Sequence, residues 1–240
     1  MQVLLPLKEF AAAKQRLAGV LSAAERAQLF EAMVEDVLRV LTQHPDIKNI
    51  AICSRDNAAK WLASYYGVEF IDESKLSAHG LNEAVNKAAH EIQARDENDL
   101  LVVHGDLPML SAADVTQFLQ VHRKTPHSAV TMVADRHSTG TNLLAWRALS
   151  DFSVAYGEHS FQRHCAQARA LNIEPAICDL SSVRCDIDEL EDLWFLLSRP
   201  LSTEAVKTLK MLHESGIAKR LLAMQCEANI SCDGGERERA

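Results

Sequence analysis

The chain predicts an α/β fold with a mostly parallel central sheet and helices on both faces. Three observations lead there. Apolar runs of strand length alternate with amphipathic runs of helical length through the first 134 residues. The run Leu100-Leu101-Val102-Val103 reads as a buried strand. It stops abruptly at Gly105-Asp106-Leu107-Pro108, which sets a carboxylate at the carboxyl end of a central strand, where open α/β sheets bind their ligands.

The elements follow in order. Val3 to Leu7 is the first strand. Ser22-Ala23-Ala24-Glu25 has capping-box spacing and opens a long amphipathic helix to about Gln43. Asn49 to Cys53 is a strand, Ala58 to Tyr65 a helix, and Glu69 to Ile71 a short strand. Leu81 to Gln93 is helical and Asp99 to His104 extended. Ser111 caps a helix through about Val121, and Ser128 to Ala134 is the next strand. After Asp135 the rhythm changes. Short extended pieces, Thr141 to Trp146 and Ile173 to Cys178, flank one helix, Ser160 to Ala170, and this half is expected to cover the sheet's carboxyl edge and complete a pocket. No linker rich in Pro, Gly or Ser interrupts the chain. Residues 1–199 therefore read as one catalytic domain, 200–226 as one or two appended helices, and the polar residues 227–240 as a disordered tail.

The 240 residues are 48% hydrophobic and 24% charged, an ordinary globular balance. A net charge of -8 argues against a general nucleic-acid binder while leaving room for a local basic pocket. No apolar run is long enough to span a bilayer, and the N-terminus reads as a strand rather than a signal peptide. A cytoplasmic protein is the expectation. The six cysteines contain no C-x-x-C pair, which disfavours zinc and disulfide frameworks. A G-x-S-x-G elbow, a Walker A loop and a dinucleotide fingerprint are all missing.

Several segments have two readings. Asp106 suits a magnesium ion held against phosphate oxygens, or a plain strand-ending turn. In Arg184-Cys185-Asp186-Ile187-Asp188-Glu189, strand periodicity puts Asp186 and Asp188 on one face, where they would join Asp106 around a metal. The same stretch pairs Asp188 with Glu191 as a helix N-cap and N3 residue. Lys8, Lys14 and Arg16 surround the end of the first strand and suit a triphosphate, or a solvated helix face. Gly80 lets a backbone come close, and Asn82 is either a ribose or base contact or a first-turn residue. Asp135 to Asn142 gathers small donors around Gly140. Gly157 leads to Ser160 as a helix cap, an anion-binding pattern to which Arg163 and His164 would add positive charge.

Taken together, Pro6-Leu7-Lys8 with Ala13-Lys14-Gln15-Arg16-Leu17, Leu21 to Arg26, Gly105 to Pro108, Asp135-Arg136 with Thr139 to Asn142, Gly157 with Ser160 to His164, and Asp186-Ile187-Asp188 resemble one family. It is the guanylyltransferases of coenzyme F-420 biosynthesis, which use 2-phospholactate, phosphoenolpyruvate or 3-phosphoglycerate. The likeness covers roughly residues 1 to 198. It implies a Rossmann-like, GT-A-like nucleotidyltransferase fold that transfers GMP from GTP to the acid's phosphate and releases pyrophosphate, with magnesium. It assigns the metal to Asp106, Asp186 and Asp188, the triphosphate to Lys14 and Arg16 beside Lys8, and the nucleoside to Gly80 and Asn82. Thr141, Asn142, Gly157 and Ser160 would hold the acceptor. The appended helices after Pro200 offer a surface for a homodimer contact, and the oligomeric state stays open. Family members commonly follow Asp-Ile-Asp with Thr-Pro, whereas Glu189-Leu190 stands here. Two alternatives accompany this reading: a cytidylyl- or molybdopterin-type enzyme of the same fold, which usually carries a glycine-rich first loop, and a non-catalytic nucleotide-binding regulator.

Overall fold

Successive residues of the central strands are apolar, so each strand can feed two cores. The computed structural model describes residues 1–95, 99–124, 130–147, 151–199 and 204–226. Strands β1 (Gln2–Pro6), β2 (Asn49–Ser54), β3 (Glu69–Asp72), β4 (Leu100–Val103), β5 (Val130–Ala134), β6 (Thr141–Trp146) and β7 (Ala176–Ile177) form one sheet in the order β3-β2-β1-β4-β6-β5-β7. Most neighbours are parallel. β6 runs antiparallel to β4 and β5. Val3, Leu5, Leu101 and Val103 enter one core, while Leu4, Leu100 and Val102 enter the other.

Helices α1 (Ala23–Gln43), α2 (Asn57–Tyr66), α4 (Ala112–Lys124), α6 (Leu190–Ser198) and α7 (Val206–Glu214) cover the first face, and α3 (Leu81–Arg95) and α5 (Ser160–Ala170) the second. The capping box at Ser22 forms, with Glu25 N–H on Ser22 Oγ and Ser22 N–H on Glu25 Oε2. Ser111 Oγ likewise accepts from Asp114 N–H at 3.1 Å and starts α4. Among the described residues, no helix is long and apolar enough to cross a membrane.

The C-terminal helices do not stand apart. Leu209, Leu212, Ile217, Ala218 and Leu221 are buried in the first core. The Asp36 carboxylate of α1 accepts from the N–H groups of Lys207 and Thr208, at 2.9 Å each, and fixes the start of α7. Residues 200–203 and the expected tail at 227–240 lie outside the described residues, as do the first two residues of the strand expected from Ser128.

One element is corrected. Residues 185–188 form no strand. Their backbone bonds instead to the Gly-Asp-x-Pro turn, through Ile187 N–H on Asp106 O at 3.1 Å. Ile187 is fully buried, so the flanking Asp186 and Asp188 turn the other way. The shared face is correct, but its cause is a single buried anchor rather than a ladder.

Candidate active site

Four loops meet at the carboxyl ends of β1, β4 and β5 and at the amino end of β6, which runs antiparallel to β4. The first follows β1 as two 3-10 turns, Phe10–Ala12 and Gln15–Gly19, with Lys14 between them at φ 53°. A left-handed lysine costs about 1 kcal/mol. Here it sends a buried ammonium under the Phe30 ring, 5.9 Å from its centroid, onto two carboxylates. Lys14 Nζ donates to Asp106 Oδ2 and to Asp188 Oδ1, each at 2.7 Å. Burial opposes its charge, but the two carboxylates outweigh burial and hold Lys14 above its ordinary pKa. Burial likewise opposes the Asp106 charge. Lys14 and then His104 reverse that effect, leaving Asp106 below the usual carboxylate range.

Asp186 completes the acidic group. One oxygen from each of Asp106, Asp186 and Asp188 lies within 4.8 Å of the other two, a spacing that a single cation can bridge. Among the described residues, Asp186 has no lysine partner. Burial, then Asp106 and Asp188, push its carboxyl up to about 6. Asn142 steadies it, donating to Val183 O at 2.8 Å and to Asp186 Oδ1 at 3.2 Å. The structure thus sets the Asn142 amide on a metal-ligand candidate.

The expected helix cap at Asp188 is also corrected. The α6 cap lies one residue later, and Asp192 Oδ2 accepts from the N–H groups of Asp188 and Glu189 at 2.9 and 2.7 Å. That leaves the Asp188 carboxylate to the cleft. Asp192 is itself buried against Arg136.

Asp106 and Asp188 line two adjoining lobes, and Asp186 lines the larger of them. The larger, about 830 Å³, is lined by Thr139 to Asn142, Tyr156, Gly157, Arg136 and the three aspartates. The smaller, about 350 Å³, lies under the first loop beside Lys8, Lys14, Gln15 and Arg16. His104, at the end of β4, lines both. Its position directly before Gly105 was the available signal for it. Glu189, the residue that departs from the family pattern, spans the mouth. Arg16 Nη1 donates to its Oε1 at 3.1 Å, and Arg136 Nη2 lies 3.9 Å from its Oε2.

Thr141 and Gly157 line the larger lobe. Ser160 is buried behind it, with its Oγ 3.5 Å from Thr141 Oγ1. It is the first residue of α5 rather than its cap, which is His159 at φ 54°. Two N–H groups of that helix start are already used, Ser160 on Gly157 O and Phe161 on Thr139 O. His164 is not a cation. Burial first, then Arg163 and His104, hold it down to about 4. Gly80, at φ 84°, turns the chain into α3 without lining either lobe. Asn82 clasps the Tyr156 backbone, donating to its O at 3.0 Å and accepting from its N–H at 2.6 Å. Sequence reading missed that role because a partner 74 residues away leaves no local pattern.

A Rossmann-like sheet with an acidic triad and a buried lysine at its carboxyl edge defines a nucleotidyltransferase-type site. The fold matches a solved Desulfovibrio desulfuricans G20 protein described as a nucleotide-diphospho-sugar transferase, with TM-score 0.72 and 17% identity, covering 91% of this chain and 96% of that one. The family model "Guanylyl transferase CofC like" matches residues 1–221. The chain is 37% identical over 203 residues to the phosphoenolpyruvate guanylyltransferase of Roseiflexus castenholzii, covering 84% of this chain and 90% of the relative. It is 34% identical over 203 residues to the 3-phospho-D-glycerate guanylyltransferase of Phenylobacterium zucineum, covering 83% and 91%. The chain belongs to the CofC-like guanylyl transferase family and is a nucleotidyltransferase. That assignment disfavours the cytidylyl, molybdopterin and regulatory alternatives.

Proposed function

We propose that this protein transfers GMP from GTP to the phosphate of 2-phospholactate, phosphoenolpyruvate or 3-phosphoglycerate in the assembly of coenzyme F-420, releasing pyrophosphate in the cytoplasm. The observation that carries the reading is the triad of Asp106, Asp186 and Asp188, of which Asp106 and Asp188 are paired to Lys14 between two lobes. The basic lobe, with Lys8, Lys14 and Arg16, suits a triphosphate. The larger lobe, with Thr141 and Gly157, suits an acid bearing a phosphate and a carboxylate.

Three close carboxylates are hard oxygen donors of the kind magnesium takes. Bound there, magnesium would neutralise phosphate charge and align the reacting oxygens. The chain's own residues supply position and charge. The acceptor's phosphate oxygen, already ionised at neutral pH, bonds to the α-phosphorus of GTP. The bond from that phosphorus to the oxygen bridging to the β-phosphate breaks, and pyrophosphate leaves with the electron pair. No strong general base is needed. Lys14 stands beside the reacting centre and Arg16 at its mouth, where negative charge is held on the triphosphate. Gly80 acts on the nucleoside side through the turn into α3, whereas Asn82 acts on the acceptor side by holding the Tyr156 backbone.

The test is pyrophosphate release with magnesium, with GTP, ATP and CTP each paired with the three acids. Release that requires GTP and one acid establishes the reaction and its acceptor. Asp106→Asn should remove that release while near-UV circular dichroism stays native. Wild-type rates in that variant would displace the metal site.

A further inference from the structure

The ring of His164 is fully buried between two walls of the larger lobe. Its Nε2 accepts from the backbone N–H of Ala155 at 2.8 Å, and its Nδ1 lies 2.9 Å from Thr141 Oγ1. The ring packs edge to face on Tyr156, with centroids 5.1 Å apart. A backbone N–H can only donate, so Nε2 must be unprotonated. A neutral imidazole then carries its one proton on Nδ1. Thr141 Oγ1 must accept that proton, and its own O–H is directed elsewhere. Among the described residues the other polar atom near Thr141 Oγ1 is Ser160 Oγ, at 3.5 Å, the limit of a hydrogen bond.

We propose that His164 is a positioning residue that fixes the hydroxyl of Thr141 as a hydrogen-bond donor toward an anion in the larger lobe. The opposite tautomer would have Thr141 spend its proton on the ring and present lone pairs to that anion, which repel it. The device works because the imidazole stays neutral, and its depressed pKa keeps it so across the working range. It also ties Thr141 to the segment at Ala155, two residues before Gly157, so both acceptor walls move as one. Asn82 holds the same segment from the other side through Tyr156. This inference rests on the proposal that the acceptor's anionic groups occupy the Thr141 lobe.

Two measurements test it. The first needs no substrate. Long-range 1H–15N correlation of the histidine rings, assigned by the signals lost in His164→Asn, should show His164 protonated at Nδ1 and bare at Nε2. An Nε2-protonated or charged ring at neutral pH overturns the proposal. The second separates the ring's two bonds. Asn places an amide N–H near the Nδ1 position, and Gln places its oxygen near the Nε2 position. His164→Gln should raise the acceptor KM roughly tenfold with the GTP KM unchanged, whereas His164→Asn should keep the acceptor KM within about threefold. Equal effects of the two variants, or equal shifts of both KM values, overturn the proposal. Thr141→Val is the control for the reading beneath it. An unmoved acceptor KM in that variant removes the acceptor from this lobe. A raised one, with Asn and Gln alike at His164, removes only the role of His164.

Discussion

Lys14 Nζ and Asp188 Oδ1 lie 2.7 Å apart, joining the first loop of the chain to its last acidic segment. The same ammonium holds Asp106 at 2.7 Å. Burying an ammonium is costly unless its partners answer its charge, and here two carboxylates do so. Lys14 therefore compensates the acidic group, and any divalent ion entering the triad meets a neighbouring positive charge.

Lys14→Met should expose that tension. The methionine keeps the packing against Phe30 and removes the charge. Turnover should fall about 100-fold, the usual loss for an electrostatic group at a phosphoryl centre. Manganese affinity without nucleotide should rise several-fold, because the competing ammonium is gone. Calorimetric titration and pyrophosphate release measure both. A parallel loss of metal affinity and rate would make Lys14 part of the metal site's scaffold instead.

Asp186 leads to a pH prediction. Its folded pKa, about 6, lies above its ordinary value of 3.8. A raised carboxyl contributes stability that is full below the ordinary value and is lost as pH rises through 6. At pH 7.5 the metal-free protein therefore carries a destabilising charge there. Asp186→Asn should raise metal-free stability by about 1–2 kcal/mol at pH 7.5 and change it little at pH 4. In the wild type, manganese affinity should fall as pH drops below 6, because the proton and the ion compete for one carboxylate. Urea melts and titrations from pH 5 to 8 check both. A pH-independent affinity would place the ion on the other two aspartates.

Asn82→Ala separates two roles for one side chain. The clasp on Tyr156 predicts a stability loss of about 1–3 kcal/mol, since it strands a backbone N–H and C=O. It also predicts that the acceptor KM rises more than the GTP KM, because the loosened segment carries Gly157. A rise confined to the GTP KM would instead return Asn82 to direct nucleoside contact.

The layer order and the strand carrying Asp106 were legible because both rest on local information. A four-residue apolar run bounded by turn residues reads as a buried strand that feeds two cores, and Gly-Asp-x-Pro ends it. The period-2 spacing of Asp186 and Asp188 pointed them to one side, yet the reason is that Ile187 is anchored on Asp106 O. The capping pair was misplaced by one residue because Asp is a preferred cap and Glu is not, which favours Asp188-Glu191 over Glu189-Asp192 on paper. The burial of Asp192 beside Arg136 reverses that order. Asn82, Asn142 and His164 share one property: their amide or ring atoms are spent on partners 9 to 74 residues away. Composition and spacing name a polar side chain but not its partner.

Gly105 decides whether the glycine of Gly-Asp-x-Pro serves chemistry or packing. A Cβ there would sit 2.7 Å from Leu7 Cδ2 and 2.8 Å from Val34 Cγ2, both side chains buried in the first core. Gly105→Ala should therefore cost about 1–3 kcal/mol by overpacking, and lower Tm by roughly 2–10 °C for a chain of this size. The strain falls next to Asp106, so kcat should fall with it. Val34→Ala removes one of the two clashing methyl groups and leaves the cleft untouched. In a double-mutant cycle the pair should lose less stability than the sum of the singles and recover part of the lost kcat. Additive stability losses with no recovery would mean that the position constrains the Asp106 backbone itself. Coupling with recovery would mean that the glycine is there so that α1 and the residue after β1 can close tightly beneath a carboxylate held at a fixed depth.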